Sequence, residues 1–143
     1  MTQTSIKKLL EAALLARQRS YAPYSGFSVG AALLCEDGSV YTGANIENAA
    51  HTPTVCAERT AFFTAVHNGA RRFRAIAVVG GSSDGEIDAY CPPCGVCRQV
   101  MSEFCDGGFE ILLYNGNDVK LLTLDDLLPE RFVLGDKESE ATK

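Results

Sequence analysis

Apolar residues recur along this chain with two different spacings, one typical of helices and the other of buried strands. Between residues 5 and 19 the helical spacing predicts an amphipathic helix with one apolar face, formed by Ile6, Leu9, Leu10, Ala13 and Leu14. Short apolar runs predict strands at residues 28–35, 40–44, 73–80, 109–114 and 119–122. Further helical patterns cover about residues 55–68, the segment from Cys94 to just before Gly107, and a brief stretch over residues 124–128.

The turn signals between these runs fix their order along the chain. A hairpin turn is predicted at residues 36–39 and another turn at 115–117, while residues 45–54 and 81–93 are predicted as loops. The resulting order, αββαβαββα, shows no internal repeat and favours one mixed sheet with helices on its faces. We therefore expect a single α/β domain over residues 1–134, followed by a loose polar tail over residues 135–143.

Composition and charge narrow the classes of function. The chain has 143 residues, 46% of them hydrophobic, and a net charge of −5, which is typical of one globular domain. A protein that grips a phosphate backbone usually presents a basic face, and the short basic cluster at residues 71–74 is interpreted as a solvated segment. No apolar run has membrane-spanning length, and Glu11 and Arg17 interrupt the one N-terminal stretch that imitates a signal peptide. We expect a cytoplasmic protein without nucleic-acid or membrane partners.

Six cysteines carry the candidate chemistry, and three of them have the spacing of metal ligands. Without a signal peptide, clustered cysteines favour metal binding over disulfides. Cys94 and Cys97 are separated by two residues at a predicted helix start, and Cys56 stands at the start of the preceding helix. Catalytic zinc sites take three protein ligands and leave the fourth position to water. These three thiols are therefore predicted to bind one Zn²⁺ ion per chain.

Two residues that follow Cys56 can complete such a site. Arg59 projects from the same first helical turn, where it can hydrogen-bond the thiolates and offset their charge. Glu58 faces a different direction around the ion, so it is better suited to proton transfer than to ligation. The alternative for Arg59 is an ordinary arginine of the helix surface. Taken alone, Glu58 is better explained as an acidic residue in a helix first turn, which the helix dipole favours.

Several motifs together resemble the small homotetrameric cytidine deaminases. Cys-Ala-Glu followed by Pro-Cys-x-x-Cys is the zinc deaminase signature, with Cys in place of His. The similarity extends over residues 5–133, through the segments Pro23-Tyr24-Ser25, Asn45-Ile46-Glu47-Asn48, Cys56-Ala57-Glu58-Arg59-Thr60, Pro93-Cys94-Gly95-Val96-Cys97-Arg98-Gln99 and Leu127-Leu128-Pro129. The resemblance implies a three-layer α/β/α sandwich built on a mixed five-stranded sheet, and hydrolysis of free cytidine and deoxycytidine to the uridine nucleosides and ammonia in pyrimidine salvage.

The resemblance also implies residue roles. Cys56, Cys94 and Cys97 would hold zinc, and Glu58 would move protons between water, N3 and the leaving amino group. The implied substrate contacts are Phe27 against the pyrimidine, Asn45 and Glu47 on the ribose hydroxyls, Ile46 within the same segment, the Ala57 backbone on the base carbonyl, and Phe132 over the site of a neighbouring subunit. The partners would be a nucleoside and three further copies of the chain.

Alternatives remain open from the residues alone. Cys91 could join the three thiols in a closed structural zinc site, or Cys94 and Cys97 could serve a thiol–disulfide oxidoreductase. A deaminase acting on another aminopyrimidine nucleoside, such as a nucleoside antibiotic, is the nearest alternative. We expect Cys91 to be a spare thiol, Cys35 and Cys105 to be buried, and His51, where many relatives have tyrosine, to be either a surface residue or a substrate contact.

Overall fold

A computed structural model describes residues 1–135 of the chain; residues 136–143, which hold most of the predicted polar tail, lie outside the described residues. The elements follow the predicted order: α1 (Gln3–Arg17), β1 (Phe27–Cys35), β2 (Val40–Ala44), α2 (Ala57–His67), β3 (Phe73–Ser82), α3 (Gly95–Phe104), β4 (Glu110–Tyr114), β5 (Val119–Thr123) and α4 (Leu124–Leu127).

The five strands form one mixed sheet in the order β2-β1-β3-β4-β5. The first strand, β1, pairs antiparallel with both β2 and β3, β3 pairs parallel with β4, and β4 pairs antiparallel with β5. Helix α1 covers one face of the sheet, and α2 and α3 cover the other, so each face has its own apolar core. This arrangement confirms the predicted three-layer α/β/α fold.

Alternation along β3 divides its side chains between the two cores. Ile76 and Val78 point to the core under α2 and α3, whereas Ala75, Ala77 and Val79 point to the core under α1. Because both faces are covered, the strand reads as a continuous apolar run. The larger core is centred on Phe62 of α2, whose ring is fully buried among other aromatic rings.

Two glycines let the helices approach the sheet closely. A Cβ at Gly30 of β1 would lie 2.1 Å from the Ala13 carbonyl oxygen in α1. On the opposite face, a Cβ at Gly43 of β2 would lie 2.5 Å from both the Ala57 carbonyl oxygen and the Ala61 nitrogen in α2. The first turn of α2 is therefore held against β2 by backbone contact.

The structure differs from the sequence-based boundaries by one to two residues at several ends. Helix α2 begins at Ala57 rather than residue 55, because Cys56 has extended backbone and acts as its N-cap. Strand β3 continues to Ser82, because Ser82 pairs with Phe27 of β1. Within residues 1–135, no helix has both the length and the apolar character needed to cross a membrane. The single domain over residues 1–134 stays a prediction.

Candidate active site

Three thiols meet where α2 and α3 begin. Cys56 is the N-cap of α2 and Cys94 is the N-cap of α3, and Cys97 lies one turn further along α3. The Cys56 and Cys94 sulfurs are 3.8 Å apart, and the Cys94 and Cys97 sulfurs are 3.5 Å apart. All three sulfurs lie within 4.8 Å of one another. Each sulfur comes from a helix start, where backbone N–H groups and the helix dipole favour a thiolate.

The spacing of the three sulfurs fits a tetrahedral zinc ion. A Zn–S bond of about 2.3 Å places two ligand sulfurs about 3.8 Å apart at the tetrahedral angle. The distances between neighbouring sulfurs, 3.5 and 3.8 Å, match this value. Cys91 is absent from the metal-binding group found among the described residues, so those residues provide three thiol ligands rather than four. Three ligands correspond to a catalytic rather than a closed structural site.

The protonation of the thiols is uneven. The pKa of Cys56 falls to about 5, chiefly because Cys97 donates a hydrogen bond to it, with a further contribution from Arg59. The Arg59 Nη2 atom lies 3.4 Å from the Cys56 sulfur. The same hydrogen bond to Cys56, together with burial, raises the pKa of Cys97. In the absence of metal, one negative charge therefore settles first on Cys56, facing the guanidinium.

Glu58 is buried next to this cluster. Its exposed fraction is 4%, which is rare for a carboxyl group. Burial, and secondarily the negative charge of Cys56, raises the pKa of Glu58 to about 7. A carboxyl group with a pKa near neutrality can both accept and return a proton, as a general acid and base must.

Asn45 is fixed in place by Ser20, in the loop before β1, and by the first residues of β1 itself. Its Oδ1 atom accepts hydrogen bonds from Ser20 Oγ at 2.6 Å and from the Val29 nitrogen at 2.8 Å. Its Nδ2 atom donates to the Phe27 carbonyl oxygen at 2.8 Å. A side-chain amide has two N–H donors, so one of them is left for a ligand hydroxyl. Asn45 is therefore oriented by the chain itself and keeps a donor for its predicted substrate contact.

Glu47 is held by the same loop. Its Oε1 atom accepts from the Tyr24 and Ser25 nitrogens at 3.0 and 3.1 Å, and its Oε2 atom accepts from Ser25 Oγ at 2.5 Å. These bonds, with that from the Ser25 hydroxyl the strongest, hold the pKa of Glu47 below its ordinary value. The carboxylate is therefore charged and oriented without any ligand, and it retains acceptor capacity for a hydroxyl.

Phe27 begins β1 with 42% of its surface exposed, so it is not the core residue that its apolar type alone would favour. Arg17 fastens this end of the sheet. It donates to the carbonyl oxygens of Ser28, at 3.0 Å, and of Ser82 and Gly85 in β3 and the following loop. The end of α1 thus aligns the strand ends beside Phe27.

The remaining predicted site residues lie in three places. Ala57 is fully buried as the first residue of α2, and a first-turn backbone N–H has no partner within its own helix. Ile46 bridges Tyr21 and Val55 through its backbone while its side chain is half exposed. Phe132, after α4, has 67% of its surface exposed.

Sequence reasoning gave no role to Arg98 and treated Cys91 as a spare thiol. Arg98 Nε donates to the Pro93 carbonyl oxygen and its Nη1 donates to the Leu127 carbonyl oxygen, both at 2.7 Å. This residue therefore ties the turn that carries Cys94 to α4. Its place inside the Pro-Cys-x-x-Cys-Arg segment was the available signal. Cys91 is half-buried close to Glu58, as the electrostatic effect of Glu58 on its pKa shows.

Comparisons with known proteins agree with this geometry. The profile of the cytidine and deoxycytidylate deaminase zinc-binding region matches residues 3–111. A cytidine deaminase from Sporosarcina psychrophila is 49% identical over 128 residues, which are 89% of this chain and 90% of the relative. The crystal structure of cytidine deaminase from Burkholderia pseudomallei superimposes with a TM-score of 0.81 at 47% identity, covering 92% of this chain and all of that one.

One further relative acts on a different substrate by name: a blasticidin-S deaminase from Bacillus cereus is 34% identical over 107 residues, 73% of this chain and 76% of the relative.

The fold and the three-thiol cluster beside a buried glutamate define a class, the zinc-dependent hydrolases with an α/β/α architecture. Within that class, the chain belongs to the cytidine and deoxycytidylate deaminase zinc-binding family. The metal suited to its three-thiol cluster is Zn²⁺.

Proposed function

We propose that this chain hydrolyses the 4-amino group of free cytidine and deoxycytidine, giving uridine or deoxyuridine and ammonia. The observation that carries the proposal is the burial of Glu58 beside three sulfurs spaced for zinc. It is supported by membership of the deaminase family and by relatives named cytidine deaminase.

Cys56, Cys94 and Cys97 hold the ion in this proposal. When bound there, zinc polarises a water molecule and favours its ionisation at neutral pH. Glu58 accepts one proton from the attacking water and delivers it to N3 of the base. It then takes the second proton from the hydroxyl group formed at C4 and passes it to the departing amino group. Arg59, which hydrogen-bonds Cys56, offsets the negative charge of three thiolates. Water supplies the oxygen at C4, and the amino group leaves as ammonia.

The substrate is oriented by groups already fixed in the free chain. The Ala57 backbone N–H at the start of α2 donates to the base carbonyl at C2. Asn45 and Glu47 hydrogen-bond the ribose hydroxyls, Ile46 lies in the same segment, and the exposed Phe27 ring packs against the base. Because the start of β1 and the loop before it already hold both polar side chains, little entropy is lost when these side chains bind the substrate.

The biological setting is pyrimidine salvage in the cytoplasm, by a homotetramer. Phe132 and the next two residues are all exposed and apolar, as is expected where a neighbouring subunit covers them. Phe132 of one subunit then closes the site of another. A reducing compartment keeps the thiol ligands available for zinc.

The decisive experiment follows the loss of cytidine absorbance for the parent and for Glu58→Gln, with zinc counted per chain in both. The amide has nearly the same shape but cannot accept the proton, so kcat should fall about 100- to 10,000-fold while zinc remains bound. Glu36→Gln, an exposed glutamate in the β1–β2 hairpin, is the matched control and should leave kcat unchanged.

Two outcomes would contradict the proposal. A zinc-loaded Glu58→Gln variant with parental kcat would show that Glu58 moves no proton. If the zinc-loaded unsubstituted protein deaminates neither cytidine nor deoxycytidine but does deaminate blasticidin S, the substrate is instead the antibiotic named for the Bacillus cereus relative.

A further inference from the structure

The residue Cys91 lies at the end of the sheet beside the proposed pocket, and the proposed mechanism gives it no role. It packs over Gly80 of β3: a Cβ at Gly80 would lie 2.7 Å from the Cys91 sulfur, 3.0 Å from Cys91 Cβ and 3.1 Å from Phe27 Cε2. Gly80 faces the same side of the sheet as Val78, the side covered by α2 and α3. Cys91 and Phe27 are thus neighbours that share the space left by the missing side chain of Gly80.

Cys91 lies close enough to the catalytic cluster to be affected by its charge. Burial, followed by the negative charges of Glu58 and Cys56, raises the pKa of Cys91 to about 11. The side chain is half-buried and is not part of the metal-binding group among the described residues. It therefore lies near the three-thiol cluster without being one of the candidate ligands.

The proposed orientation of the base leaves one ring edge for this residue. The carbonyl at C2 and N3 face the first turn of α2, through Ala57 and Glu58, and N1 carries the ribose toward Asn45 and Glu47. C5 is the ring atom next to C4 on the side away from N3, so it faces the segment that leads into Cys94. Cys91 stands three residues before Cys94 in that segment.

We propose that Cys91, seated over Gly80 beside Phe27, lines the C5 edge of the bound pyrimidine and limits the size of the substituent accepted there. The inference rests on the proposed function. Phe27 supplies the wall against the flat face of the base, and Cys91 supplies the wall against its edge. The two side chains together bound the space next to C5, and the size of the residue at position 91 determines how large a substituent fits there.

The test compares cytidine with 5-methylcytidine as substrates of the zinc-loaded enzyme. The quantity measured is the ratio of kcat/KM for 5-methylcytidine to that for cytidine. Cys91→Ala removes the thiol and should raise this ratio about tenfold, the value of one methyl group in an apolar pocket. Cys91→Val fills more of the space next to C5 and should lower the ratio. Cys35→Ala is the control, because Cys35 ends β1 about 26 Å along the strand from Phe27.

The outcomes separate this inference from the proposed function. A parent that deaminates cytidine, with ratios unchanged in both Cys91 variants, would overturn the inference and leave the function standing. A parent inactive on cytidine would defeat the function itself. Zinc content and thermal unfolding show whether either Cys91 variant is misfolded. If one is, the kcat/KM ratio of the other Cys91 variant tests the inference.

Discussion

At the scale of single residues, the site depends on where negative charge resides before the metal binds. Cys56 receives hydrogen bonds from Cys97 and Arg59, and its pKa is about 5, so it is largely ionised at neutral pH. A low pKa means that thiolate formation is complete above that value and is lost as the pH falls through it. Cys56 is therefore the thiol best prepared to capture an incoming ion.

This asymmetry predicts how many protons zinc displaces. In a metal-free Glu58→Gln variant at about pH 6, zinc binding should release fewer than three protons per chain, because Cys56 has already lost its own. Calorimetry in two buffers with different heats of ionisation measures the number. Adding Arg59→Met removes one hydrogen bond to Cys56, so the number should rise. If the Glu58→Gln variant with Arg59 intact releases three protons per chain on zinc binding, then Cys56 is not already ionised at that pH and the assignment of negative charge to Cys56 is contradicted.

Single residues also show which parts of the site can be predicted from the sequence and which cannot. The Cys-Ala-Glu and Pro-Cys-x-x-Cys segments are local, so their spacing alone placed three thiols and a glutamate together. Cys91 was set aside as a spare thiol, because only the pairing of β1 with β3 shows that it shares a glycine with Phe27. The hydrogen bonds from Arg17 to strand ends more than ten residues away could not be predicted from the sequence either.

At the scale of elements, the site is positioned by the contact between α2 and β2. Gly43 permits that contact, since a Cβ there would lie 2.5 Å from two backbone atoms of α2. Backbone atoms cannot rotate away as a flexible side chain can, so the helix itself must move. Its first turn carries Cys56 and Glu58.

Gly43→Ala should therefore weaken zinc binding as well as stability. We expect a loss of about 1–3 kcal/mol in the free energy of unfolding, as is typical of overpacking, together with lower zinc affinity at neutral pH. Denaturant unfolding and competition with a chelator measure the two effects. Gly85→Ala is the control, because the nearest atoms to its Cβ would all belong to Ser82 and lie 3.4 Å or more away. Unchanged zinc affinity in Gly43→Ala would refute this coupling.

The elements themselves were largely predictable, whereas their arrangement was not. Helical and strand spacing in the apolar residues gave, in order, the nine elements found within residues 1–135, because each pattern is local. The strand order β2-β1-β3-β4-β5 depends on contacts between distant segments, and the periodicity of one strand carries no information about its neighbours. Boundaries shifted where a cap or a strand partner decided them, as at Cys56 and Ser82.

At the scale of the whole molecule, the proposed tetramer makes the active site a shared structure. Phe132 lies in an exposed apolar segment after α4, and Arg98 ties that helix to the turn carrying Cys94. If Phe132 completes the site of another subunit, then Glu58 and Phe132 of a working site come from different chains. Defects in the two residues should then complement each other.

Mixing two defective variants tests this arrangement. Phe132→Ala should raise KM, and Glu58→Gln should lower kcat about 100- to 10,000-fold. After subunit exchange, the activity of the mixture should exceed the summed activities of the separate variants. The gain arises because some sites combine Glu58 from one chain with Phe132 from the other. Light scattering of the parent checks for four chains per particle. A tetramer without any gain would place Phe132 in the site of its own chain.

The distance along the chain between the thiols gives the metal a further effect. Cys94 lies 38 residues after Cys56, and α2, β3 and their connecting loops lie between them. An ion held by both thiolates therefore closes a long loop, as a reversible tether. A permanent crosslink of that length removes about 4 kcal/mol of chain entropy from the unfolded state. Because the tether dissociates, the free energy of unfolding becomes a function of free zinc concentration, and metal starvation lowers it.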